Sequence, residues 1–266
     1  MDLKEYYNFA DKDGHPSYLR HPWETARAEI AVGLLSCIKF PVGASIIDIG
    51  CGDGYALRKI SHALNAGSCL GIDVSLLPEN IRKINYDFAK EGIDGYVSEN
   101  FQKAYSFALA HEVGLMTFMD VIEHVKDPHR FLTDTVRGCR LARGTSVFIT
   151  VPAFQSLFSF HDKYFGHYRR YSKKKLLELV KSCGFRTIDS GYFFTSLLLP
   201  RSVSLFKEKC LRLPGEVRHI GSWKHGKTIS NAAVSVLLAE FKMEQFLKKV
   251  GISFPGLSIY CIAETA

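Results

Sequence analysis

The chain has 266 residues, 47% of them hydrophobic, and a formal net charge of +7. This size suits one large α/β domain with insertions, or one domain with a cap. Its apolar runs are shorter than the roughly 20 residues of a membrane-spanning helix. The basic residues are dispersed, without zinc-finger spacing or an RNP-type aromatic motif, which argues against nucleic acid as a partner.

The seven cysteines are scattered and form no C-x-x-C pair. This pattern predicts reduced thiols, with neither a disulfide framework nor a zinc site. We expect no metal, although His161, Asp162 and His167 lie close enough in sequence to keep that question open. The amino terminus lacks a basic start followed by an apolar stretch, so we expect a cytoplasmic protein.

Residues 1–44 are predicted to form an amino-terminal helical segment that acts as a lid. Pro22 suits the first position of a helix, because its missing N–H has no helical partner there. The pattern predicts that this helix extends to about Ile38, ahead of Pro41.

Apolar strands alternate with helices through residues 45–194, which predicts a mostly parallel sheet covered on both faces. The strands should be continuously apolar because both of their faces are buried. The predicted strands are 45–49, a run ending at Asp73, 95–98, 113–119, 146–151, 187–194 and, at the carboxyl end, 257–263; the predicted helices are 55–63, 78–90, 128–139 and 173–183.

Residues 195–255 are too many for a hairpin connection between the last two strands. We therefore predict a helical cap inserted before a final core strand in 256–266. Apolar residues at helical spacing predict one helix over about 230–250.

The first part of the insertion, 197–213, mixes apolar and basic residues. Pro200 and Pro214 limit its predicted helix to about 201–213. Three interpretations stay open for it: a cap over the substrate, a contact with a second subunit, or a peripheral contact with a membrane surface.

The most informative segment is the glycine turn Gly50-Cys51-Gly52-Asp53-Gly54, between an apolar strand and a helix start. A dinucleotide fingerprint would place its third glycine at position 55, where this chain has Tyr55. The spacing therefore favours a cofactor without a pyrophosphate over the turn, with a nicotinamide-dependent oxidoreductase as the weaker alternative. Asp73 ends the second strand, 25 residues after Asp48, where a carboxylate can accept both ribose hydroxyls of an adenosine.

Two further segments follow in order. One is Asp120-Val121-Ile122-Glu123-His124 after the fourth strand, and the other is His167-Tyr168-Arg169-Arg170-Tyr171-Ser172 ahead of a Leu-rich helix. Together with the glycine turn they resemble the class I S-adenosylmethionine-dependent methyltransferases, in particular the type 11/12 enzymes of small-molecule and glycan pathways. The resemblance covers roughly residues 45–185. It implies a doubly wound, Rossmann-like sheet of seven strands, the last one antiparallel, with S-adenosyl-L-methionine as cofactor and S-adenosyl-L-homocysteine as product.

The same resemblance implies a set of cofactor-binding residues. The glycine turn would hold the methionine end, the segment after the third strand would meet the adenine edge, and the end of the fourth strand would face the reacting methyl group. The set comprises Asp48, Gly50, Cys51, Gly52, Asp73, Val74, Ser98, Glu99, Asn100, Met119, Asp120 and Val121.

His124 and His167 are the candidate catalytic residues. The unperturbed pKa of histidine, near 6.5, suits a general base for an acceptor hydroxyl, and the alternative for His124 is packing on its own helix. Substrate-binding candidates are Trp23 and Arg27, as lid residues, and Tyr168, Arg169 and Arg170, which with His167 would line a pocket for an anionic acceptor. Trp23 could instead be a hydrophobic staple, and the basic run could be a solvated face.

These observations predict methyl transfer to a small-molecule, sugar or lipid-linked acceptor, at oxygen and with an anionic group on the acceptor. The alternative of a different class is a catalytically silent protein that keeps the fold and the cofactor. Acceptor identity and oligomeric state are left open by the sequence.

Overall fold

The computed structural model describes residues 20–210 and 225–266. Residues 1–19 of the predicted lid, and the end of the predicted 201–213 helix, lie outside these ranges. Within them, seven strands form one sheet. The strands are β1 (Ser45–Ile49), β2 (Cys69–Ile72), β3 (Gly95–Ser98), β4 (Val113–Met119), β5 (Ser146–Pro152), β6 (Phe185–Phe193) and β7 (Ser258–Thr265).

Nine α-helices lie in the described ranges, and single 3₁₀ turns follow β4 and β5. The 3₁₀ turns span Ile122–His124 and Gln155–Leu157. The helices are α1 (Pro22–Leu35), α2 (Tyr55–Leu64), α3 (Pro78–Lys90), α4 (Gln102–Ala110), α5 (Pro128–Gly138), α6 (Phe160–Tyr164), α7 (Lys173–Ser182), α8 (Leu198–Cys210) and α9 (Lys227–Lys249).

The strand order is β3-β2-β1-β4-β5-β7-β6, and only β7 runs antiparallel to its neighbours. The chain order reverses between β1 and β4, which pair in parallel with Asp48 opposite Thr117. The predicted α/β class, seven strands and antiparallel last strand are confirmed. A reversal of this kind opens a crevice at the carboxyl ends of the strands, where ligands of such sheets bind.

The structure contains two helices, α4 and α6, that the sequence pattern did not predict. Helix α4 buries only Ala104 and Phe107 against the sheet, so its apolar periodicity is weak. Helix α6 has five residues, too few to show a period. Helix α8 begins at Leu198 rather than Arg201, because Pro200 lies in its first turn, where proline is tolerated.

The described parts of the insertion are mainly helical, and α9 is part of the main core. Leu237 and Phe241 of α9 lie in the same buried cluster as α1 residues and Tyr260 of β7. Helix α8 buries none of its residues and leaves Leu199, Val203 and Phe206 exposed. Exposed apolar side chains of this kind suit a cap, a subunit contact and a membrane contact equally, so the three interpretations of this segment stay predictions.

No helix within residues 20–210 and 225–266 combines the length and apolar character needed to cross a membrane.

We predict that Phe241→Ala destabilises the protein far more than Phe246→Ala on the same helix. Phe241 is 8% exposed and Phe246 is 66% exposed. Truncating the buried ring leaves a cavity, at about 3–5 kcal/mol of unfolding free energy, whereas the exposed ring should change it by no more than about 0.5 kcal/mol. Urea unfolding measures both. Equal, small effects would show that α9 is not part of the folded core.

Candidate cofactor and acceptor site

The glycine turn leaves β1 in a conformation that side chains would obstruct. Gly50 has φ +76°, and a Cβ there would lie 2.4 Å from Cγ2 of Val121. The N–H groups of Gly50 and Cys51 both donate to the carbonyl oxygen of Ile72, at 2.7 and 3.2 Å. The turn is therefore fixed to β2 and packed against the segment that leaves β4.

Asp73, directly after β2, adds a side-chain bond to the same turn. Its Oδ2 accepts the N–H of Gly52 at 3.0 Å, and its Oδ1 accepts both the N–H and the hydroxyl of Ser75, at 3.0 and 2.5 Å. A carboxylate offers about four acceptor positions, so capacity remains beyond these bonds. The ribose role of Asp73 stays a prediction, and the structure adds a positioning role for the turn.

Asp48 is a fully buried carboxylate directly before the turn. Thr117 of β4 donates to its Oδ1 at 2.5 Å, while its buried Oδ2 has no hydrogen-bond partner. Burial raises the pKa of Asp48 to about 7, although the hydrogen bond from Thr117 opposes this shift and the charge of Asp73 adds to it. An unpartnered acceptor at this position is suited to a ligand that donates hydrogen bonds.

Asp120 follows β4 with φ +53°, a left-handed conformation that non-glycine residues adopt mainly where the surroundings enforce it. Thr150 donates to its Oδ1 at 2.9 Å, and Arg27 of α1 forms an ion pair with its Oδ2. The Arg27 guanidinium lies 3.6 Å from the ring centroid of Trp23. Arg27 therefore lies beside the end of β4 with Trp23 next to it, and the lid role of both residues stays a prediction.

Two donor atoms of Arg27, Nε and one terminal nitrogen, are buried without a partner. A guanidinium accommodates a planar or tetrahedral anion through such paired donors. This makes Arg27 a candidate for binding an anionic group at this edge.

The remaining predicted cofactor residues surround the same edge. Ser98 Oγ accepts the N–H of Asn100 at 3.1 Å, and Asn100 in turn accepts the N–H of Gln102 at the start of α4. Glu99 is exposed and Met119 is buried. Val74 is 77% exposed, so an apolar surface is left open beside Asp73.

The structure brings the two candidate catalytic histidines into contact. The rings of His124 and His167 lie 4.5 Å apart, centroid to centroid, nearly at right angles. The N–H of Tyr168 donates to the carbonyl oxygen of Glu123 at 2.8 Å, which joins the two sequence segments. Within the described residues, Glu123, His124 and His167 form a group whose potential metal-ligand atoms all lie within 4.8 Å of one another.

Burial governs the protonation of Glu123. It raises the pKa of Glu123 well above its usual range, and the charge of Asp120 adds to the shift. The surrounding protein also lowers the pKa of His124, although its side chain keeps exposed surface, and the charge of His167 adds to this shift. His124 is therefore a neutral imidazole at physiological pH, with a ring nitrogen able to accept a proton or a metal ion.

The predicted anion pocket at Tyr168, Arg169 and Arg170 needs a correction. Arg170 is buried and donates from Nε to Oδ1 of Asp162 at 2.7 Å and from a terminal nitrogen to the carbonyl of Ala153. Its anion is a side chain of the same protein, so we no longer assign Arg170 to the acceptor. Tyr168 is exposed, and Arg169 donates to the carbonyl of Lys126 at 2.8 Å.

Asp162 is the centre of a buried network that sequence analysis missed. Arg201 of α8 donates to its Oδ2 at 2.7 Å, and Nδ1 of His167 lies 3.1 Å from its Oδ1. Burial alone would raise the pKa of Asp162, but the bond with His167 and the two guanidiniums hold it well below its usual range. His161 lies outside the metal-compatible group, although the sequence placed it with Asp162 and His167.

Sequence analysis also passed over Glu123 and Asp53. Glu123 lies inside the segment that carried the family resemblance, but nothing in its spacing indicated that it would be fully buried. Asp53 lies in the glycine turn, accepts the N–H of Tyr55 and pairs with Arg20. The ion pair between Asp53 and Arg20 forms only when the amino-terminal segment folds against the glycine turn, so the sequence alone did not indicate it.

A methyltransferase-domain family model matches residues 22–190 of this chain. The chain belongs to the class I S-adenosylmethionine-dependent methyltransferases. The matched region contains the glycine turn, Asp73, Asp120 and both histidines. It ends before the helical insertion.

Among curated proteins, the ubiquinone biosynthesis O-methyltransferase of Citrobacter koseri is 29% identical over 97 residues, which are 36% of this chain and 37% of that protein. The chain thus matches little more than a third of that relative's length. Two solved structures show the same fold. A putative methyltransferase in complex with the Haloferax volcanii Trm112 activator has a TM-score of 0.55 and 15% identity over 100% of this chain and 97% of its own. The [4+2]-cyclase SpnF has a TM-score of 0.55 and 16% identity, over 99% and 93%.

The raised pKa of Asp48 predicts a specific dependence of stability on pH. In the unfolded chain an aspartate titrates near 3.9, so between about pH 4 and pH 7 the folded methyltransferase binds one more proton than the unfolded chain. Stability therefore falls as pH rises through this window. Asp48→Asn removes this contribution, so the unfolding free energy of the wild type relative to the variant should fall by on the order of 2 kcal/mol from pH 5 to pH 8.

Urea unfolding at several pH values measures this difference, and the other titrating groups, shared by both proteins, largely cancel in it. A difference that stays flat with pH would contradict the burial of an ionisable Asp48.

Proposed function

We propose that this protein transfers the methyl group of S-adenosylmethionine to a small acceptor. The observation that carries the proposal is the cradle at the β1–β4 reversal, where the Gly50 turn, Asp73, Asp48 and Asp120 all lie at the carboxyl edge of the sheet. Family membership supports the choice of cofactor.

The residues present fit this cofactor. Gly50 has no Cβ and therefore packs directly against Val121, which brings the glycine turn and the segment after β4 together at this edge. The unpartnered Oδ2 of Asp48 suits the ammonium group of the methionine moiety, and the one acceptor position that Asp73 keeps suits a ribose hydroxyl. When bound, S-adenosylmethionine supplies an electrophilic methyl group on a sulfonium.

The protein's part in the reaction is mainly alignment. Holding two reactants in line removes most of the entropic cost of their meeting. Asp120 and Val121, at the end of β4, are placed to orient the acceptor relative to the methyl group. Arg27 and Trp23 cover the same edge and exclude water from it. His124 is the candidate general base, which is needed only if the acceptor starts protonated, and its lowered pKa makes it a weaker base than an ordinary histidine.

For the acceptor, we propose a small-molecule, sugar or lipid-linked compound that carries an anionic group and is methylated at oxygen. The two unpartnered donors of Arg27 support the anionic group. The O-methyltransferase relative supports oxygen as the receiving atom.

The second candidate function is binding of the cofactor without methyl transfer. The [4+2]-cyclase SpnF is the reason to consider this candidate, because that protein has the same fold and its name is not that of a methyltransferase. A nicotinamide-dependent oxidoreductase is disfavoured by the glycine spacing, since Tyr55 occupies the place of the third glycine.

Calorimetric titration with S-adenosylmethionine, S-adenosylhomocysteine and NAD tests the cofactor. We expect binding of both sulfur compounds and not of NAD. Asp73→Asn should weaken binding at least about tenfold, because hydrogen bonds to a charged group contribute about 1.5–3 kcal/mol each. The matched control is Asp94→Asn, an exposed aspartate at the opposite end of the sheet. NAD binding, or equal affinity in both variants, would contradict the proposal.

Arg27→Gln tests whether this guanidinium binds the acceptor or the cofactor. If Arg27 binds the acceptor, affinity for S-adenosylmethionine should change less than about threefold, while methyl transfer in a screen of anionic acceptors should fall at least about tenfold, as expected for a lost charge-assisted pair. Methylthioadenosine, which lacks the carboxylate, serves as the comparison ligand. Weaker binding of S-adenosylmethionine with unchanged binding of methylthioadenosine would assign Arg27 to the cofactor carboxylate instead.

A further inference from the structure

We propose that Glu123, His124 and His167 form a binding site for a divalent transition-metal ion at the edge of the methyl-transfer site. One carboxylate and two imidazoles supply ligand atoms that all lie within 4.8 Å of one another. First-row metal ions bind such nitrogen and oxygen ligands at about 2.0–2.2 Å. One ion placed between the three side chains can reach all of them with small rotations.

Glu123 carries the strongest evidence. Its side chain has no exposed surface, and neither carboxylate oxygen has a hydrogen-bond partner. A buried carboxylate without a partner is costly, and coordination to a cation is one of the few arrangements that satisfies both of its oxygens. No guanidinium or ammonium group of the described residues forms an ion pair with it.

His167 is oriented by the protein as a metal ligand usually is, and His124 is positioned by contact with it. Nδ1 of His167 is engaged with Asp162, which leaves Nε2 for the ion. The ring of His124 packs edge to face against that of His167, 4.5 Å apart centroid to centroid, which places it beside the same space. A carboxylate or carbonyl on the far nitrogen fixes the ring and its tautomer, and this outer support accompanies most metal-bound histidines.

The donor set indicates the class of metal. Two imidazoles with one carboxylate favour Zn²⁺, Co²⁺, Mn²⁺ or Fe²⁺ over Mg²⁺ and Ca²⁺, which prefer oxygen ligands. Three protein ligands also leave at least one coordination position open, as in catalytic rather than structural sites.

That open position gives the site a role in the proposed function, on which this step rests. An acceptor hydroxyl bound to the ion would lose its proton to water more easily, because the cation stabilises the oxyanion. The oxyanion oxygen then forms a bond to the methyl carbon as the carbon–sulfur bond breaks, and the electron pair of that bond returns to sulfur. No atom changes place other than the methyl group and the released proton, and no oxidant is needed.

The competing interpretation is a metal-free cluster in which Glu123 is protonated and the histidines act only as bases or packing groups. The two interpretations differ in a direct observable. If the cluster is metal-free, the protein binds no ion there at micromolar concentration. Any weak binding elsewhere would then not change when these three side chains are replaced.

The test uses the full chain, stripped with EDTA and dialysed, and titrated separately with Zn²⁺ and Co²⁺. We expect one equivalent of metal by elemental analysis and a Co²⁺ absorption spectrum of a site with nitrogen and oxygen ligands. Glu123→Gln and His167→Gln should each weaken binding at least about tenfold. The matched control is His161→Gln, a half-buried histidine beside Asp162 that lies outside the group, and its affinity should stay within about twofold of the wild type.

Wild-type protein that binds neither ion, or variants of Glu123 and His167 that bind as well as the wild type, would overturn the proposal. Circular dichroism of each variant shows whether it folds. If a variant does not fold, the metal stoichiometry and the Co²⁺ spectrum of the wild type still test the proposal. Titration of the same samples with S-adenosylmethionine separates the two proposals. Cofactor binding without metal overturns the metal site alone, whereas metal binding without the cofactor overturns the proposed function alone.

Discussion

The pairing of β1 with β4 is the contact on which the candidate site depends. It is the point where the strand order reverses, so the segments that leave these two strands diverge on opposite faces of the sheet and open a crevice between them. Asp48 and Thr117 lie opposite each other in this pair and share a buried hydrogen bond. Gly50 then passes within contact of Val121, so the shape of the glycine turn and the direction of the chain after β4 are determined together.

A second constraint joins the insertion to this edge. Asp162 is fully buried and takes hydrogen bonds from Arg170, from Arg201 of α8 and from the hydroxyl of Ser159. Removing one partner of such a buried charge is strongly destabilising, because the rest is left uncompensated. His167 belongs to the same network and also contacts His124, so the position of α8 and the geometry of the histidine pair are physically coupled. The insertion therefore contributes to the site through Arg201 as well as through any contact with an acceptor.

The sequence predicted the sheet, the glycine turn and most helices because each depends on local patterns: apolar strands, glycines with φ above zero, and capping residues such as Ser172. It did not predict α4 and α6, because one has little apolar periodicity and the other is a single short turn. Arg170 was misassigned because a sequence shows the charge of a side chain but not its partner, and Asp162 supplies that partner only after the chain folds. The same limit hid Glu123, whose significance is its complete burial, and the contact between His124 and His167, which are 43 positions apart.

The central claim is that one edge of the sheet holds both the cofactor and a metal ion, side by side. A crystal structure of the protein with S-adenosylhomocysteine and Co²⁺, with anomalous data collected at the cobalt edge, tests it most directly. We predict the nucleoside between the Gly50 turn and Asp73, and one anomalous peak within bonding distance of Glu123, His124 and His167. Nucleoside density elsewhere, or no anomalous peak at the three side chains, would contradict the claim.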